Sequence, residues 1–332
     1  MPEINLIKFN GKPLEKLVEV ISNGIGTFYR PRSIRKEADA KAYEIEIIEA
    51  AKTKALVEGK ENQAETYIRI QERLLFSQVE KQNNIDNVVE VAAEQLGKEN
   101  TVSEEPVDRH WSKRFFNIVE DVSDEEMQTL WGRILAGEIK SPQSYSLRAL
   151  ELLKNLSKKE AETFMKFAAF AISSNGEAFI LNYENEKLLE ENYKLNLKDR
   201  LLLEELGILT TKDLQFKILA TKEIQSQIYF VIGGTIVSLE KPANQPEQQL
   251  QALIFTKIGQ ELLKLVNSST NLDYTQLLAS KLRKDNYSVK YGSILKRYDN
   301  GVINHSPFIE VPFTEIELKA KEEKEARENK NN

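Results

Sequence analysis

The chain contains no cysteine. That absence removes disulfides, thiolate zinc sites, iron–sulfur clusters and thiol nucleophiles together. Histidine is nearly as scarce: His110 and His305 are the two in 332 residues, too few for a metal site built on several imidazoles or for a histidine-rich acid–base centre within one chain. No apolar run reaches the roughly 18 to 20 residues needed to cross a bilayer, and Met1–Lys12 lacks the basic-then-apolar order of an export signal. A cytoplasmic location is therefore expected. The glycines of Gly24-Ile25-Gly26 and Gly233-Gly234 have neither the spacing of a dinucleotide loop nor the lysine of a phosphate loop. Asp121, Asp124, Glu125 and Glu126 sit where a helix begins, and its dipole and free N–H groups account for acids there without a cation. No catalytic residue, cofactor site or metal site is expected, and the protein is expected not to be an enzyme.

What is present is helical material. Charged residues make up 30% and hydrophobic residues 41% of the chain, enough for globular cores with long solvated helical faces. Its length calls for more than one core. The net charge of −6 argues against a surface devoted to nucleic acid, though a local basic patch would survive that average.

Leu14, Leu17, Val18 and Ile21 predict a short amphipathic helix from Pro13 to about Asn23. It is read as docked on the rest of the protein, with a peripheral membrane contact through 13–36 as the alternative, given Arg30, Arg32, Arg35 and Lys36 just beyond it. From Ser33 to Leu96 there is no proline and a lone glycine, Gly59. One or two long helices are expected there, folded as an antiparallel hairpin turning at Gly59–Asn62 or paired as a self-associating coiled coil; this segment would carry a homo-oligomer through residues 33–96. Residues 1–97 form the first predicted unit, and a polar linker separates it from the next.

Over 108–173 four helices are predicted. Two serines, Ser123 and Ser157, each precede a glutamate by three residues in capping-box spacing. Residues 174–268 change texture. Ala178–Leu181, Ile228–Ile232, Ile236–Leu239 and Ala252–Phe255 are β-prone, and Gly233-Gly234-Thr235 is a three-residue hairpin connection. Helix, hairpin, strand and helix in that order suggest a winged-helix module, which would serve protein interaction or, as the competing reading, bind DNA through 194–268. Its near-neutral charge weighs against DNA. A small α/β extension over 269–314 and a charged, disordered tail over 315–332 complete the chain. The expected fold class is mainly α: a long N-terminal helical hairpin or coiled coil, a central four-helix unit and a winged-helix-like α+β C-terminal part.

The stretch Trp111-Ser112-Lys113-Arg114-Phe115-Phe116, then Asp121 to Gln128, Leu130-Trp131-Gly132-Arg133-Ile134-Leu135-Ala136-Gly137-Glu138-Ile139 and Tyr145-Ser146-Leu147-Arg148, resembles the bacterial family catalogued as domain of unknown function 2806. Gly24-Ile25-Gly26-Thr27-Phe28-Tyr29-Arg30-Pro31 is also similar to it, so the resemblance covers roughly the first half. A looser likeness, through Leu130-Trp131, Leu135-Ala136 and Leu150 to Ala161, is to Abi-alpha-type abortive-infection proteins, and it implies a setting in phage defence. No activity comes with either resemblance. Within this block Arg114, Arg133, Glu138 and Arg148 are the candidate site residues, because charges beside apolar helix faces form either an ion-pair network between helices or a surface for a partner or ligand. The expected function is that of a self-associating interaction protein or scaffold with a protein partner; the alternative is a DNA-binding regulator.

Overall fold

The computed structural model describes residues 11–27, 29, 49–50, 53, 57, 61–99, 101–181, 187–218, 225–242, 248–266, 270–284, 287–298, 301–315 and 317–319. The predicted turn at Gly59–Asn62 falls largely outside them, as do most of the 33–60 segment and the tail beyond 319. The chain divides into two compact units, Met1–Lys154 and Asn155–Asn332.

The first unit is helical: α1 Lys12–Ile25, α2 Glu61–Leu96, α3 Arg109–Val119, α4 Glu125–Lys140 and α5 Leu147–Asn155. Proline in the first turn suits α1, since the missing N–H has no helical acceptor there. Gly26, at φ 78°, ends it by donating to the Ser22 carbonyl at 3.1 Å. Leu17, Val20 and Ile21 are buried, so the face on which a membrane contact through 13–36 would rest is turned into the protein. Asp108 caps α3 by accepting the Trp111 N–H at 2.7 Å, and His110 lies in this helix. Asp124, not Ser123, caps α4, accepting from Met127 N at 2.9 Å. The core is aromatic, with Trp111 stacked on Phe115 at 5.0 Å and Trp131 edge-on to Phe115 at 5.7 Å.

Two glycines set the helix crossings. A Cβ on Gly24 would lie 2.1 Å from Phe116 Cδ2, and one on Gly132 would lie 2.5 Å from Val91 Cβ and 2.9 Å from the Val88 carbonyl. The backbones of α1 against α3, and of α4 against α2, therefore approach closer than any side chain would allow.

The second unit overturns the expected fold class. It contains α6 Lys158–Ala168, α7 Lys187–Tyr193, α8 Leu197–Glu205, α9 Lys257–Leu263 and α10 Leu272–Lys284. Among the described residues they accompany nine strands: β1 Ile172–Ser174, β2 Glu177–Leu181, β3 Leu209–Ile218, β4 Gln225–Ile232, β5 Thr235–Pro242, β6 Gln248–Phe255, β7 Ser288–Arg297, β8 Ile303–His305 and β9 Ile309–Glu310. These form one antiparallel sheet in the order β3-β6-β2-β1-β4-β5-β7-β8, with β9 also on β7. The protein is thus not mainly α. The predicted hairpin exists, with Ile232 opposite Thr235 across Gly233-Gly234, so the connection has two residues rather than three. It is no wing, because β4 pairs on its far side with β1 and β5 with β7, which places both strands inside the sheet. α6, expected in a central four-helix unit, belongs to this second unit.

Buried polar groups tie the helices to the sheet. The Tyr274 hydroxyl, fully buried on α10, accepts from Leu181 N and donates to Leu181 O, each at 3.1 Å, closing the end of β2. Thr256 caps α9 by accepting from Gly259 N at 3.2 Å. Ser157 and Glu160 form the predicted capping box on α6. Hydrogen bonds from Ser157 hold the Glu160 carboxyl below its usual range, so the box stabilises above the ordinary glutamate pKa and is lost as pH falls through the lowered one.

Candidate functional site

The four predicted residues lie on three helices, α3, α4 and α5. Arg114 is exposed on α3 and pairs with Glu151 on α5 at 3.2 Å. With both side chains more than 40% exposed, a double-mutant cycle on this pair, read by chemical denaturation, is expected to give a coupling below about 1 kcal/mol. Arg133 is half-buried on α4 and Arg148 is exposed at the start of α5.

Glu138 is 2% exposed. One carboxylate oxygen accepts the Gln143 N–H at 2.7 Å and the other the Tyr145 N–H at 3.0 Å. Gln143 sits at φ 69°, a left-handed conformation that a side chain makes costly, so the carboxylate holds a strained turn. Tyr145 is gripped further: its carbonyl accepts the Trp111 indole N–H at 2.8 Å, and its ring lies where a Cβ on Gly137 would be 3.0 Å away. Trp111, Gly137, Glu138 and Tyr145, all within the resemblance, thus make one clamp that fixes the α4–α5 connection.

A groove elsewhere in the same unit escaped the sequence reading. It encloses about 790 Å³ between the C-terminal end of α1, the middle of α2 and the outer face of α3. Gly24 and Gly26 form one wall, beside Ile25, Ile85 and Phe116. The acids on its rim are engaged: Asp108 caps α3, and Glu120 takes Lys81 at 2.6 Å, an ion pair that raises the lysine pKa chiefly through its hydrogen bond to Glu120. The Tyr29 hydroxyl donates to buried Asp86 at 3.1 Å. The groove's walls come from residues 23–27, 78–85 and 108–120, and only the arginine and lysine four apart on α3 hinted at a shared face.

The long helix α2 changes character along its length. Ile85, Val88 and Ala92 are buried. Stepping back by threes and fours along the same stripe leads through Lys81 and Ser77 to Leu74 and Ile70, which are 50% and 47% exposed. Phe76 and Val79, on the opposite side of the helix by its 3.6-residue period, are 65% and 47% exposed. Among the described residues no group of three or more histidine, aspartate or glutamate side chains could hold a metal ion, and no helix is long and apolar enough to cross a membrane.

The model of the family described as protein of unknown function (DUF2806) matches residues 68–279. This chain belongs to that family. The match begins within α2 and runs on through the sheet into α10, well past the first half that carried the resemblance, and Gly24–Pro31 lies outside it. None of the curated proteins and none of the solved structures matches this chain, so nothing beyond the shared residues supports the likeness to abortive-infection proteins.

Proposed function

We propose that this DUF2806 protein is a non-enzymatic interaction protein that assembles with further copies of itself through the N-terminal half of α2. The observation that carries this reading is the pair of apolar faces on that half: Ile70 and Leu74 on one side, Phe76 and Val79 on the other. An apolar stripe that continues past its covering helix calls for another partner. The two faces lie on opposite sides of α2 by its 3.6-residue period, so one helix packed along one side leaves the other open. Copies of the same chain supply the second cover without a further component, and the pattern of a long charged helix with two apolar edges suits a multi-helix assembly.

The test is the solution mass of the native chain beside a Leu74→Glu, Phe76→Glu double variant, with circular dichroism as the check on folding. The native chain is expected to run as an oligomer and the variant as a folded monomer. An unchanged oligomer in the variant, or a native monomer, would overturn the assignment. A setting in phage defence would be tested separately, by whether deletion of the gene alters plaque formation in its host.

A further inference from the structure

We infer that the groove between α1, α2 and α3 is a binding site for a phosphate-bearing small molecule of nucleotide size. Its volume of about 790 Å³ lies within the range of small-molecule pockets. Seven polar side chains line it without any hydrogen bond or ion pair to the described residues: Asn23, Thr27, Gln78, Arg109, His110, Lys113 and Asn117. Surface side chains scattered at random seldom converge on one concavity, and here they come from three helices and the chain just past α1.

The charge of that lining decides the ligand class. Asp108 and Glu120 are already engaged, with the α3 backbone and with Lys81 respectively. The uncommitted charges are therefore those of Arg109 and Lys113, spaced i, i+4 so that both stand on one face of α3. A guanidinium and an ammonium side by side favour an anion with several oxygens, as in a di- or triphosphate. The amides of Asn23, Gln78 and Asn117 supply donors and acceptors for the polar remainder of such a molecule, and Ile25 and Ile85 give an apolar wall for a ring. Gly26 adds no side chain at that wall: a Cβ there would meet nothing within 4 Å, so the approach to the backbone stays open.

This inference is independent of assembly through α2, since neither Phe76 nor Leu74 lines the groove. Calorimetric titration of the full-length chain with inorganic triphosphate, and separately with adenosine triphosphate, tests it. Saturable binding of at least one probe is expected, weakening as salt rises. An Arg109→Glu, Lys113→Glu variant should bind at least tenfold more weakly, while Lys154→Glu, which alters an exposed lysine outside the groove, binds as the native chain does. Tighter binding of the nucleotide than of inorganic triphosphate would assign the apolar wall to the base, and equal binding would leave the phosphates as the recognised part. Absence of saturable binding by either probe at millimolar concentration, or equal binding by the charge-reversed variant, would overturn the site.

Discussion

Replacing Glu138 with alanine is expected to destabilise the first unit by about 3–5 kcal/mol, measured as a loss of midpoint in urea. The carboxylate is buried and takes two backbone N–H groups, from Gln143 and Tyr145. Its removal strands the N–H of buried Tyr145, leaves the Gln143 N–H without its acceptor and frees the turn that holds Gln143 at positive φ. Each buried unsatisfied N–H costs roughly 1–3 kcal/mol, and the left-handed residue adds about 1–2 kcal/mol that would no longer be held in place. Glu138→Gln keeps one acceptor oxygen and the side-chain shape, so it should cost about half as much. A loss below about 1 kcal/mol in Glu138→Ala would show that the clamp on the α4–α5 connection contributes little.

A comparable loss, about 3 kcal/mol, is expected for Gly132→Val in the same assay. Valine improves on glycine as a helix former by a few tenths of a kcal/mol, which acts against the effect. Steric exclusion outweighs that gain. The new Cβ would lie 2.5 Å from Val91 Cβ and 2.9 Å from the Val88 carbonyl, and the second of these is backbone that cannot rotate aside. α4 and α2 must then separate, opening contacts around Trp131 and Ile134, both fully buried. Gly26→Ala is a useful contrast. No atom lies within 4 Å of a Cβ there, and its cost is confined to placing alanine at φ 78°.

How much of this was legible before the fold was known differs from element to element. Helices stood out because caps and apolar spacing are local: Ser157 with Glu160 marked α6, and the apolar stripe around Ile85, Val88 and Ala92 marked the buried half of α2. The strands β2, β4, β5 and β6 were also visible, yet the sheet was not. The link between its halves is β1, a three-residue strand that pairs with β2 through Ile172–Ser174 and with β4 through Ile172 and Ser173. Three residues are too few to show a period of two. Without β1 the same strands divide into a wing and a separate extension. β3 was missed for a related reason: its polar Thr210–Asp213 stretch coincides with a register shift between Thr210 and Leu214, which breaks the alternation a strand would show.

The four candidate charges illustrate the other limit. Arg114 and Glu138 do lie beside apolar helix faces, as their sequence context indicated, but what Glu138 meets is backbone N–H from a turn. A side chain's charge announces an interaction without announcing its partner. The groove was hidden more completely, because three separated segments build it and the spacing of Arg109 and Lys113 marks one of them alone.

The central claim is that the exposed half of α2 joins copies of this chain. Sedimentation equilibrium on the native protein over a hundredfold range of concentration tests it most directly. The account predicts a mass of at least twice 38.1 kDa, and a mass of 38.1 kDa at every concentration would contradict it.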